Sequence, residues 1–207
     1  MQLSSFGGVA GLALLLVSVL SIGIILERSL FWFFTLRKRE KLRTMLADSF
    51  TANQPFLNSI NSTERQHIVS LIAQIIESSN ITNLEQLQDS LDQAFAQVEY
   101  QLQKYDGVLA TIISVSPLLG LLGTVFGLIR SMNGLTIGSL SESNLSVMSG
   151  ISEALISTAI GLSIAVVTLV ASNIFRGLKT NELRNIRSLL VMIEHRFTNR
   201  VNGFDHL

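Results

Sequence analysis

Ser116-Pro117-Leu118-Leu119-Gly120-Leu121-Leu122-Gly123-Thr124-Val125-Phe126-Gly127-Leu128-Ile129 is the stretch that decides how this chain folds. It is apolar throughout, carries three glycines and a proline, and places the Thr124 hydroxyl near its centre. In water such a helix would be poor, since each glycine costs about 1 kcal/mol relative to alanine and an interior proline about 3. Inside a bilayer the backbone has no water to bond to, and the helix is enforced. There the small residues become a surface on which a second helix approaches closely.

The rest of the chain supports the membrane reading. Of its 207 residues 48% are hydrophobic and only 14% charged, against about 25% charged in soluble domains. The charges avoid three apolar runs, 6–26, 108–129 and 151–171, each close to the ~20 residues that cross a bilayer. The formal net charge of zero therefore hides an uneven distribution. No basic side chain precedes the first run, which is also longer than a signal-peptide core, so it is expected to be a retained span. The chain has no cysteine, which excludes disulfides.

Basic residues give the orientation. Arg28, Arg37, Lys38, Arg39, Lys41 and Arg43 follow the first run, and Arg176, Lys179, Arg184 and Arg187 follow the third. Between the second and third runs stand only Arg130 and Glu142. The amino terminus is expected outside, with the large loop and the carboxyl tail in the cytoplasm. The expected fold is all-α, an integral membrane protein with three transmembrane helices and long helices extending into the cytoplasm. It divides into an N-terminal span over 1–26, a cytoplasmic helical domain over 27–106, a helix pair over 107–175 and a cytoplasmic C-terminal helix over 176–207.

Within the loop, Ile68, Leu71, Ile72, Ile75 and Ile76 form one helical stripe. Thr63-Glu64-Arg65-Gln66 reads as its capping box. A second box, Thr82-Asn83-Leu84-Glu85, opens a helix with Leu84, Leu87, Leu91, Phe95, Val98 and Leu102 on one side. No glycine or proline breaks it before Gly107, so it is expected to run almost directly into the second span. Pro55 and its polar neighbours place a loop over 51–61. Leu183, Ile186, Leu190, Ile193 and Phe197 predict that the third span continues as an amphipathic helix. Such stripes either pack within the chain or serve self-association.

In the second span, Pro117, Gly120, Thr124, Gly127 and Ser131 share a face by 3-4 spacing, and Gly123 pairs with Gly127 as small-xxx-small. In the third, Ala154, Thr158, Gly161, Ala165, Thr168 and Ser172 form a second small-residue face. The two faces predict close packing of these spans, within or between subunits. The threonines have two readings: they bond their own helix backbone, or they line a polar path. Glu153, in the first turn of span three, also has two. It is an interfacial carboxylate reaching for water, or it stands at the outer mouth of an ion path and draws cations toward the seam.

Other chemistries are poorly supplied. His67, His195 and His206 all lie outside the spans, leaving no metal site or histidine relay there. No nucleophile–base pair, paired carboxylates or phosphate loop is present, so the chain is expected to be no enzyme and to need no cofactor. Nothing in it points to nucleic acid. Deep in the bilayer it offers only hydroxyls, so a titratable group for proton transfer would have to come from a partner.

The stretch 116–129 closely resembles the second-span signature of the MotA/TolQ/ExbB proton-channel family. Gly150-Ile151-Ser152-Glu153-Ala154-Leu155-Ile156-Ser157-Thr158-Ala159-Ile160-Gly161-Leu162 resembles its third-span signature, and Glu27-Arg28 with the basic cluster resembles the end of its first span. Three spans with an outside amino terminus look like ExbB or TolQ rather than the four-span MotA. The resemblance implies a bacterial inner-membrane protein, five copies of which surround an ExbD/TolR-like single-span partner whose membrane aspartate carries the proton. It implies that Thr124 and Thr158 line the ion path with Glu153 near the same route. It further implies that ion flow drives a TonB- or TolA-like protein reaching toward the outer membrane, for transport or envelope maintenance. The chain departs from the family at Ile164-Ala165-Val166-Val167, where a proline is common, which puts a kink in span three in doubt. The rival reading is a non-conducting scaffold that stabilises and positions the partner. The membrane signatures do not separate ExbB-like from TolQ-like work, or proton from sodium.

Overall fold

A computed structural model of the chain describes residues 8–52, 68, 70–72, 74, 83–134 and 140–204. Its elements are all helical: α1 (Gly8–Ala52), α2 (Leu84–Leu102), α3 (Asp106–Gly134) and α4 (Leu140–Phe204). Among the described residues there is no strand. Three stretches, in α1, α3 and α4, are long and apolar enough to cross a membrane, with mean hydropathies of 2.4, 2.1 and 2.3. Their outward faces carry Leu16, Val19, Leu118, Leu121, Leu155 and Val167, each more than half exposed, as side chains facing lipid or another subunit must be. The chain is a multi-span membrane protein.

The contacts divide into two units, the first 1–28 with 105–175 and the second 29–104 with 176–207. In the first, Ala10, Leu14, Ser21, Ile24 and Arg28 of α1 are buried, a spacing that winds one face of a helix into the packing. Leu109, Ile112 and Ser116 begin the buried face of α3, and Ala154, Ser157, Ala165 and Thr168 make that of α4. Proline at 117 is accommodated inside α3. No proline interrupts α4, which is a single helix of 65 residues.

The second unit is built from helices that bury apolar stripes. Leu87, Leu91, Ala94, Val98 and Leu102 of α2 are buried, as are Ile186, Leu189, Leu190 and Ile193 of α4. Ile68 and Ile72, two residues of the predicted loop stripe, are buried as well. Arg187 lies over the Phe95 ring, 5.6 Å from its centroid, and Gln88 Nε2 donates to Glu194 Oε1. Glu182 of α4 is buried too, and it is not without a polar partner.

Several expectations are corrected here. The cap of α2 is Asn83, one residue later than the predicted Thr82: its side chain accepts from Gln86 N at 2.8 Å. Leu84 is half exposed, because the first turn lies before the buried stripe begins. The helix does not run on into the second span. It stops at Leu102, and a turn over 103–105 follows, with Tyr105 in the left-handed region at φ 70. No local residue preference demands that break. The Tyr105 ring packs against Arg28, which is 3% exposed and sits 5.3 Å from the ring centroid. The Tyr105 carbonyl in turn accepts from Leu109 N at 2.9 Å and starts α3. Thr51 and Ala52, placed in the expected loop over 51–61, are still in α1, and the rest of that loop lies outside the described residues. The capping box at 63–66, Ile75, Ile76, His67 and His206 lie outside the described residues.

Candidate functional site

The candidate site is the seam where α3 meets α4. Glycine at each crossing lets the backbones touch. A Cβ added at Gly120 would stand 3.1 Å from Ser157 O and 3.1 Å from Thr158 Cα. One at Gly127 would come within 2.8 Å of Ala154 Cβ, and one at Gly161 within 2.5 Å of Ser116 O. At Gly123 the space is taken by the Ser157 hydroxyl. These approaches are closer than ordinary side-chain packing allows, and they occur within one chain.

The buried register of α3 runs Ser116, Gly120, Gly123, Gly127 and Ser131. Pro117 and Thr124 lie one position off it, at its partly exposed edge. On α4, Ala154, Ser157, Gly161, Ala165 and Thr168 are buried, while Thr158 and Ser172 are intermediate. The structure thus places Gly120, Gly123, Gly127, Ala154, Gly161 and Ala165 inside the packing. Thr124 and Thr158 sit on its rim.

Each threonine hydroxyl has a carbonyl to bond. Thr124 Oγ1 donates to Leu121 O in its own helix at 2.6 Å. Thr158 Oγ1 crosses the seam and donates to Gly120 O at 3.1 Å, a bond possible because glycine leaves that carbonyl uncovered. A carbonyl in a helix has a second lone pair, so this bond adds an interhelical tie without breaking α3. Ser157 Oγ is different: it is buried and has no hydrogen-bond partner among the described residues.

Glu153 lies 22% exposed at one end of the seam, where Arg130 Nη1 reaches its Oε1 at 3.3 Å and its Oε2 at 3.1 Å. That pair was not legible in the sequence, where Arg130 stood as a charge of the connecting segment. Its one signal is that the carboxyl end of the α3 face and the first turn of the α4 face must adjoin once the seam forms. At the same end Ser131 Oγ donates to Gly127 O at 3.0 Å. Further along α4, Thr168 Oγ1 donates to Ile164 O at 2.7 Å and lies 2.7 Å from Ser21 Oγ of α1. The Thr168 proton is thus committed, so Ser21 is the donor of the pair. Among the described residues no cluster of His, Cys, Asp and Glu could hold a metal ion.

The sequence profile of the MotA/TolQ/ExbB proton channel family matches residues 41–188, which include all of α3 and the seam portion of α4. The chain belongs to the MotA/TolQ/ExbB family. Among its relatives is the putative biopolymer transport protein ExbB-like 3 of Synechocystis sp., 34% identical over 192 residues, or 91% of this chain and 90% of that one. ExbB-like 1 of the same organism is 33% identical over 141 residues, 66% of this chain and 54% of its own. The biopolymer transport protein ExbB of Salmonella typhimurium is 33% identical over 149 residues, 66% of this chain and 59% of its own. The chain thus spans nearly the whole of the first relative and rather more than half of the other two. The family is one of channels, and the relatives carry transport names.

Proposed function

We propose that this chain is an ion-conducting subunit, for protons, of an inner-membrane complex that converts ion motive force into movement of a partner protein. The observation that carries the reading is the family match over 41–188, which contains the whole α3–α4 seam. The seam interior is shut by backbone contact, so an ion runs along its rim beside Thr124 and Thr158, with Glu153 at one end. Between Asp106 and Arg130, and between Glu153 and Arg176, α3 and α4 carry no titratable side chain. The acid that takes the proton therefore comes from a second chain: an ExbD/TolR-like single-span protein with a membrane aspartate, enclosed by several copies of this subunit, five by family pattern. The exposed leucines of α3 and α4 supply an apolar face for those copies. The ExbB names of the relatives favour the transport role, acting through a TonB-like protein, over a TolA-linked role in the envelope. The distribution of basic residues supports an amino terminus in the periplasm and a carboxyl terminus in the cytoplasm.

One observation favours the rival scaffold reading: both rim hydroxyls are already bonded to backbone carbonyls, as purely structural threonines would be. Comparison of Thr158→Ala with Thr158→Ser separates the two. In a conductor the serine variant works and the alanine variant assembles yet fails to energise its partner. Equal activity of the two in assembled complexes contradicts conduction along this rim.

A further inference from the structure

At the Glu153 end the seam is closed for a reason independent of charge. Gly127 packs on Ala154, and a Cβ at Gly150 would run into the Ser131 hydroxyl. Arg130 stands one turn beyond Gly127, and Glu153 directly precedes Ala154. The ion pair therefore lies beside the Gly127–Ala154 contact, and α3 and α4 still meet beyond it where Ser131 faces Gly150 and Val147. Besides Glu142, these are the charged residues of the whole stretch 107–175. The Glu153 side chain is mostly covered, whereas the Arg130 side chain is 54% exposed. A carboxylate alone at the mouth of a path attracts every cation; one held by arginine presents a neutral pair.

We propose that Arg130 is a specificity-determining residue of the ion path: by occupying the Glu153 carboxylate as a tethered counter-cation, it keeps alkali-metal ions from binding at the mouth and leaves the route to protons. The proposal rests on the conducting reading given above. A sodium ion needs oxygen ligands to replace the water it sheds, and the carboxylate is the strongest oxygen ligand available here. To reach it, sodium must displace a guanidinium of like charge that already engages both carboxylate oxygens. A proton has no such requirement, because it passes along hydrogen-bonded water and hydroxyls without taking a coordination shell from the protein. Charge is the operative property. Nη1 alone reaches both oxygens, so a lysine ammonium can stand in for it, whereas a neutral amide cannot oppose a cation.

The test uses the full chain co-reconstituted in vesicles with its single-span partner, with proton and sodium fluxes read separately under imposed gradients. Wild type is expected to carry protons and to be sodium-tight. Arg130→Gln is expected to keep proton flux and to gain sodium permeability of about fivefold, the scale of an exposed ion pair; Arg130→Lys is expected to remain sodium-tight. Should Arg130→Gln fail to assemble, proton flux through wild type, measured while external sodium replaces a bulky organic cation, decides instead. The pair predicts no dependence on sodium, and marked inhibition or stimulation by sodium overturns the proposal. Unchanged sodium permeability in an assembled, proton-conducting Arg130→Gln complex also overturns it and leaves the conducting reading standing. Absence of proton flux in the wild-type complex overturns the conducting reading, and this proposal with it.

Discussion

Glycine at position 161 is there because there is no room for anything else. A methyl group would sit 2.5 Å from the Ser116 carbonyl and 3.0 Å from Gly120 Cα, and both of these are backbone, which cannot swing aside. Gly161→Ala is therefore expected to force α3 and α4 apart and to cost about 1–3 kcal/mol, the usual range for overpacking. Gly177, further along α4, has nothing within 4 Å of the same added group. There alanine removes only backbone freedom from the unfolded chain, and Gly177→Ala is expected to stabilise by about 0.5–1 kcal/mol. Thermal unfolding of the purified protein in detergent gives opposite shifts if this holds. A parallel fall for both glycines would contradict the contact argument. Periodicity gave good access to such positions, because a glycine face repeats every three or four residues whether or not its partner is known. It located the face to within one position, and so put Pro117 and Thr124 at its centre when they lie at its edge. It could not show Ser157, whose burial depends on which part of α4 Gly123 meets.

Helices need ends and ties as well as faces. Asn83 caps α2 by accepting from Gln86 N, and Asn83→Ala is expected to cost about 1 kcal/mol, the usual worth of a side-chain cap. Chemical denaturation followed through helix content would register it as a lowered midpoint. Between α1 and α4 the tie is Ser21 donating to Thr168, both side chains buried. A double-mutant cycle over Ser21→Ala and Thr168→Val is expected to show coupling of about 0.6 kcal/mol, the average for hydrogen bonds between membrane helices. Strict additivity of the two changes would remove the tie. The existence of the helices, the α2 stripe and the continuation of α4 past the third span were legible in hydrophobic period. The break at Tyr105 was not, because tyrosine carries no local preference for a positive φ and its ring packs against Arg28, 77 residues earlier in the chain. The burial of Glu182 escaped for the same reason: a carboxylate enters a core only where tertiary partners await it.

For the molecule as a whole, charge distribution and family membership point the same way. Among the described residues the membrane-spanning part holds hydroxyls and an arginine–glutamate pair, arranged on a close-packed seam. In the proposed reading the acid that relays the proton is therefore supplied from elsewhere, and family membership names a class of proteins that act as channels. The central claim is thus one of division of labour: this chain supplies the walls of a path and a second chain supplies its titratable group. Ion flux in vesicles tests it most directly, with this chain reconstituted alone and together with its single-span partner carrying either the native membrane aspartate or asparagine. The account predicts proton flux only when the native partner is present, lost with the asparagine partner although the complex still assembles. Equal flux from this chain alone, or an assembled native complex that passes no protons under an imposed gradient, would contradict it.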